Sequence, residues 1–549
     1  MNFRAFALAG AVTAAAIAPN LAAPNPAAPR RTQQSPAEPR ASIDSRIRDE
    51  GLNHSQVMRT LHFLTDVYGP RVTGTPNLKA AGEWSVKTME SWGMKNAHLE
   101  PWDWGHPGWT NDFAWGAITS PVQDMLVLEV LAWTPSTQGA VKGRAANIRL
   151  PERPTSEELE AYLDSVKAQL SGTIVLVGAP RVVPVNLNPP SKRRSDEDLK
   201  IQYDPANPNA GRGGRGQRGG GRGQLPPKPG ALTTSEVNQR VDQFLKDHGA
   251  LVRVNDAGRE LGQIAAFDNT TYDVSKAVPT VVVRNEDYGR ISRILADGTP
   301  VELEFNIVNR TYTEGRTAYN TIGEIPGSDK KDEVVMLGGH LDSWHSATGA
   351  TDNAIGCSIM MEAARILMKL GLQPRRTIRV ALWSGEEEGL LGSQAYVKAH
   401  FGSFELQKPE FNKLVAYLNI DTGTGQLRGA SVFGPPAAAA VLREIVAPFQ
   451  DLGIYGALPS TSRVVGGTDS TSFSNAGLPG IGFSQDPIEY NSHTHHTNLD
   501  TYERVIEEDV KKAAVIVAST IYQLATRDEM LPRFAASEMP PPPPPRAGR

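Results

Sequence analysis

Residues 338–357 read GGHLDSWHSATGATDNAIGC and set His340, Asp342 and Asp352 between two apolar runs. Ionisable groups beside a core are costly unless hydrogen bonds, ion pairs or a metal compensate them. Further along the chain, Glu386 and Glu387 lie in SGEEEG, Asp421 in LNIDTG, and His493, His495 and His496 in NSHTHHTNLDT. Each residue alone has an ordinary reading. Asp352 suits a helix N-cap, and the glutamates suit the first turn of a helix. Together they ask for more. Several carboxylates in one crevice repel one another and raise each other's pKa unless a cation neutralises them. Carboxylates combined with imidazoles form a ligand set for a divalent metal of the zinc type. The chain has no G-x-S-x-G elbow, P-loop, H-E-x-x-H helix or cysteine pair to support another scheme.

Four short apolar runs must position these groups: EVVMLGG (333–339), TIRVALWS (377–384), KLVAYLNI (413–420) and GIGFSQ (480–485). Helical spacing separates them, at about 355–370 and 391–401, and a closing helix carries Val510, Ala513, Ala514, Val517, Ile521 and Leu524. Strands that are apolar throughout and alternate with helices predict an α/β fold, a mostly parallel central sheet flanked by helices. His340, the Glu386–Glu387 pair, Asp421 and the late histidines each follow one strand. In an open α/β sheet the functional crevice lies beyond the carboxyl ends of the strands.

The 549 residues suffice for two or three domains. A net charge of -4, from 60 acidic and 56 basic residues, argues against nucleic acid or an anionic membrane as partner. Residues 1–23 carry one arginine, a short apolar run and small residues, the pattern of a secretory signal. Export to the periplasm or beyond is the expectation, with no membrane span. The single cysteine, Cys357, excludes an internal disulfide. An Ala/Pro-rich linker is expected over 24–45. A β-rich module is expected over 125–311, with a solvated Arg/Gly loop at 205–230, and a Pro-rich tail over 531–549. The remaining segments, 46–124 and 312–530, form the split main domain, with helical spacing from 51 to 92.

With these motifs in place, the chain resembles the M28 family of zinc metallopeptidases, including its carboxypeptidase Q branch. The family's order is a His, an Asp twelve residues on, a Glu–Glu pair, an Asp, and a late H-T-x-x-D-T. The residues that fit are His340, Asp352, Glu386 with Glu387, Asp421 and His496. The resemblance implies two Zn2+ ions per chain: Asp352 bridging, His340 and Asp421 on one, Glu387 and His496 on the other, and Glu386 as general base. It further implies a cis peptide after Asp352, an inserted protease-associated (PA) domain in the middle module, and peptide substrates with a free N-terminus. A homodimer is among the states it implies. His495 stands where the family often has an oxyanion-binding Tyr. Asp342 is placed to orient His340, and Asp469, in GGTDSTSF, is expected to be structural. Two alternatives stand beside this exopeptidase reading: an inactive binding protein on the same fold, and a single-zinc glutaminyl cyclase-like enzyme.

Overall fold

The computed structural model describes residues 38–189, 192–207 and 228–543. The expected signal, most of the linker, the centre of the Arg/Gly loop and the last residues of the tail lie outside the described residues.

The main sheet has eight strands in the order Lys95–Asp103, Thr317–Ile325, Arg376–Trp383, Lys330–His340, Leu414–Asn419, Gly480–Gln485, Leu427–Phe433, Ala457–Ser460. The central four run parallel. Antiparallel pairing enters on both sides of them, so the sheet is mixed at its flanks. Val334 and Met336 pack with Tyr396, Phe401 and Phe473 in one core layer. Side chains alternate along a strand, so Val335 and Leu337 face the opposite layer. The helices Ile355–Lys369 and Glu507–Thr526 pack on these strands and on each other. Both are buried along most of their length. Gly356 allows the first of these helices to start hard against the sheet: a Cβ there would fall 2.6 Å from the Ile420 carbonyl oxygen.

The helical spacing at 51–92 resolves into helices Val57–His62 and Pro76–Ser91, with a single π-turn, Phe63–Val67, and an irregular stretch between. That stretch carries Arg71, which is fully buried. The chain is already helical from Arg40 to Asn53, so the linker expected to residue 45 ends earlier. Ile47 is fully buried there, Asp44 accepts from Ser519 Oγ at 2.7 Å, and Glu50 pairs with Arg365. The tail begins later than 531 for a similar reason: Leu531 is buried, Phe534 meets Phe433 edge-on, and Arg533 donates to the Phe411 carbonyl.

The middle module is a second eight-stranded sheet, and it begins at Gly108 rather than 125. Strand Gly108–Ser120 pairs with Glu302–Tyr312 along nearly its whole length. The module is also less purely β than its composition implies. Its four inner strands, Val141–Ile148, Thr173–Val177, Val252–Asp256 and Thr280–Val283, are parallel. Helices Ser156–Val166 and Thr234–Asp247, both opened by a Thr–Glu capping box, pack with them. The helix Asp196–Tyr203 leaves this module and lies on the main sheet, where Tyr203 occupies the space over Gly429.

Candidate metal centre

Four neighbouring strands deliver the ionisable groups to one edge. Strand Lys330–His340 ends on His340 itself. After strand Arg376–Trp383 the chain turns at Gly385, which has positive φ (73°), and presents Glu386, Glu387 and Glu388. Asp421 lies two residues beyond strand Leu414–Asn419. His495 and His496 follow a single π-turn at Tyr490–Thr494, which itself contains His493. Asp352 precedes helix Ile355–Lys369, and its peptide bond to Asn353 is cis.

Asp352 is the common member. Its Oδ1 lies 3.2 Å from His340 Nε2, and its Oδ2 lies 3.1 Å from His496 Nε2. His340 Nε2 is also 3.5 Å from Asp421 Oδ1, and His496 Nε2 is 2.9 Å from Glu387 Oε2. Among the described residues two groups of potential ligand atoms lie within 4.8 Å of one another, His340–Asp352–Glu387 and Asp352–His495–His496. His340 Nδ1–H donates to the Asp342 carbonyl at 3.0 Å, which leaves Nε2 facing the pocket. His340 Nε2, Asp352 Oδ2 and Glu387 Oε1 are buried without a hydrogen-bond partner among the described residues. Buried polar atoms of this kind need an explanation, and an ion is one of them. Imidazole nitrogen and carboxylate oxygen at this spacing suit a zinc-type cation. The residues fit the group.

The electrostatics point the same way. Burial alone would lower the pKa of His340, but Asp421 and Glu386 outweigh it and hold it well above the ordinary value. His496 is likewise lifted to about 11 against burial, chiefly by Glu387 and Asp352. Burial, helped by neighbouring carboxylates, pushes Glu387 up to about 7 and Glu386 well above the carboxylate range. The pocket strongly favours positive charge.

The remaining candidates are placed as follows. The Asp342 carboxylate is 3.7 Å from His340 Nδ1, and it accepts from the Glu387 amide at 3.2 Å and the Thr73 hydroxyl at 3.4 Å. It therefore ties the glutamate turn to the histidine strand. His495 stacks 3.8 Å from His496 and is 41% exposed, with Nε2 3.6 Å from Asp352 Oδ2. Asp469 is fully buried, and burial raises its carboxyl to about 7. His493 bonds Ser492 instead of joining the cluster.

Several contributors had no sequence signal. Tyr490 donates to Asp421 Oδ1 at 3.3 Å and packs on the His495 ring at 4.7 Å. Arg71 donates to the carbonyls of Leu341, Thr348 and Gly349, and so frames the loop between His340 and Asp352. From the middle module, Phe267 meets both His496 and Trp344 edge-on at 5.4 Å. Asp500 did have a signal, the Asp of H-T-x-x-D-T.

Residues 320–521 match the model for Peptidase family M28. Carboxypeptidase Q of Rattus norvegicus is 26% identical over 478 residues, 86% of this chain and 86% of that protein. The Mus musculus carboxypeptidase Q is 32% identical over 256 residues, 47% of this chain and about half (52%) of that protein. Among solved structures, the peptidase M28 precursor from Shewanella amazonensis SB2B superposes with a TM-score of 0.62 at 22% identity, covering 92% of this chain and 99% of that one. BSAP, a zinc aminopeptidase from Bacillus subtilis, gives 0.53 at 19% identity, covering 88% and 97%. The fold, the donor set and the family match define an α/β metallopeptidase. Residues 320–521 form its Peptidase family M28 domain.

Proposed function

We propose that this chain is an exported exopeptidase that uses two zinc ions to hydrolyse short peptides with a free N-terminus, as an aminopeptidase or dipeptidase. His340, Asp352, Glu387, Asp421 and His496 would hold the ions, with Asp352 as the member shared between His340 and Asp421 on one side and Glu387 and His496 on the other. The observation that carries the reading is Asp352, one carboxylate shared by two clusters of ligand atoms. When bound, such a pair acidifies water and polarises a carbonyl.

The chain's own residues supply the rest. Glu386 takes a proton from the attacking water and delivers it to the leaving amine. Its burial supports this role, because a carboxyl raised above the ordinary carboxylate range is a stronger base. His495, the more exposed neighbour of His496, donates to the developing oxyanion. The surplus of carboxylates receives the substrate's ammonium. Phe267 and the surrounding middle module, read as a PA-like insert, roof the site and restrict it to chain ends. Among the described residues no helix is long and apolar enough to cross a membrane.

The test is a panel of free and N-acetylated peptides, each with and without a chelator. Cleavage confined to the free peptides and abolished by the chelator is the expected result. Equal cleavage of blocked peptides would overturn the free-amine assignment, and chelator-resistant cleavage would overturn the metal centre.

A further inference from the structure

The segment of the middle module that reaches the metal centre carries two arginines that the chemistry above does not use. It is pinned to the late-histidine loop through Asn498, two residues beyond His496. Asn498 N donates to the Ile264 carbonyl at 2.9 Å, its Oδ1 accepts from the Ile264 amide at 2.9 Å, and its Nδ2 donates to the Gly262 carbonyl at 3.3 Å. Phe267 continues the same segment onto the His496 ring. Arg259 lies three residues before Gly262 and is partly buried. Its charge reaches His495. Arg181 comes from the loop after strand Thr173–Val177 and is anchored through its own amide to Asp256 Oδ2 at 2.7 Å. Its side chain lies over Gly258, where a Cβ would fall 2.2 Å from Arg181 Cδ and 3.0 Å from Nε. Glycine at 258 gives the second guanidinium room beside the first.

Among the described residues neither guanidinium has a hydrogen-bond or ion-pair partner. Burial and the charge of Arg181 hold Arg259 below its ordinary range. Two like charges brought together, one of them partly desolvated, are unfavourable without an anion. The carboxylates of the metal centre do not pair with them. A carboxylate on a substrate therefore suits this position. It would be repelled by the acidic pocket and attracted to this cationic stretch beside it. Arginine presents a planar fork that matches a carboxylate in two parallel bonds.

We infer that Arg259, supported by Arg181, is a specificity-determining residue that binds a carboxylate on the leaving-group side of the peptide, and so orients amine into the pocket and acid toward the roof. The inference rests on the peptidase reading and assigns its substrate polarity. The carboxylate belongs either to the C-terminus of a short peptide or to an acidic side chain.

The experiment uses the zinc-loaded full chain and three substrates: Leu-Ala, its C-terminal amide, and the amide of Leu-Asp. Arg259→Met, Arg259→Lys and Arg181→Met are compared with the parent. For the parent, kcat/KM for a carboxylate-bearing substrate should exceed that for Leu-Ala amide by about 10- to 100-fold, the range of one charge-assisted pair. Arg259→Met should erase that preference mainly through KM and leave Leu-Ala amide within about twofold, which also shows that the variant is folded. Arg259→Lys should retain part of it, and Arg181→Met should lose less than Arg259→Met. Preference for Leu-Ala points to the C-terminus, and preference for Leu-Asp amide to a side chain. Equal use of all three by the parent, or an Arg259→Met loss shared by the uncharged substrate, overturns the inference while leaving the peptidase standing. Failure to cleave any of the three overturns both.

Discussion

The backbone amide of Asp352 donates to Asp500 Oδ2 at 3.1 Å, and the preceding amide, of Thr351, donates to Oδ1 at 2.6 Å. Asp500 thus grips the main chain of the carboxylate at the centre of the site without touching another ligand. Its family motif places it four residues after His496, so one short loop carries both a proposed ligand and the clamp that orients a second proposed ligand. Replacing Asp500 with Ala leaves two buried amides unpaired, at about 1–3 kcal/mol each. We expect Asp500→Ala to lower the melting temperature and to weaken metal affinity by about 10- to 100-fold, the usual scale for an orienting partner. Asp500→Asn keeps one acceptor and should lose less. Metal titration monitored by competition with a chromophoric chelator reads both; unchanged affinity in Asp500→Ala would remove Asp500 from the site.

Glu386 and Glu387 are adjacent, yet their variants should fail differently. Glu387 Oε2 lies against His496, and its Oε1 is one of the unpartnered buried atoms. Glu386 belongs to neither cluster of ligand atoms. Glu386→Gln is expected to keep its metal and its melting temperature while kcat falls by about 10²- to 10⁴-fold, the scale of a lost general base. Glu387→Gln should release metal. Metal content measured alongside kcat separates the two, and metal loss in Glu386→Gln would reassign that residue as a ligand.

The legible part of this fold was the part encoded locally. His340, the Glu386–Glu387 pair and Asp421 each follow a continuous apolar run, so the strand ends and the edge they share could be read directly from periodicity. The module boundary could not. Gly108–Ser120 follows strand Lys95–Asp103 with only a short turn between them and no change of composition, although the two strands belong to different sheets. Pairing with Glu302–Tyr312, nearly two hundred residues away, decides the matter, and local pattern carries no trace of it. Arg71 and Tyr490 were hidden for the same reason. A buried arginine serving carbonyls about 270 residues distant looks like any surface arginine. The turn at Tyr490–Thr494 alone brings the tyrosine back to Asp421.

Phe267 is 39% exposed although its ring meets Trp344 and His496. A half-open aromatic beside His496 is placed to offer its free face to a substrate side chain. Phe267→Ala should therefore raise KM for substrates with large apolar side chains by about 10-fold or more, the value of one apolar contact of that size, and should change kcat little. Substrates with a glycine at the same position should be nearly unaffected. Steady-state kinetics on a leucyl and a glycyl substrate tests this, and an equal loss on both would assign Phe267 a purely structural role.

His345 joins the two sheets and should make their junction sensitive to acid. Its Nε2–H donates to the Val130 carbonyl at 2.6 Å, and its ring lies edge-on to Trp109 at 5.1 Å. Burial pushes its pKa down to about 4. The unfolded chain, titrating near about 6.5, binds the proton more readily than the folded one. The contribution is therefore fully present above about 6.5 and is lost as pH falls through about 4. A difference of this size is worth about 3 kcal/mol. His345→Gln retains an N–H donor for Val130 but cannot titrate. Urea unfolding followed by tryptophan fluorescence should show the parent losing more stability than the variant between pH 6.5 and 4. Parallel curves would mean that the imidazole titrates alike in the folded and unfolded chain and that the junction does not sense pH.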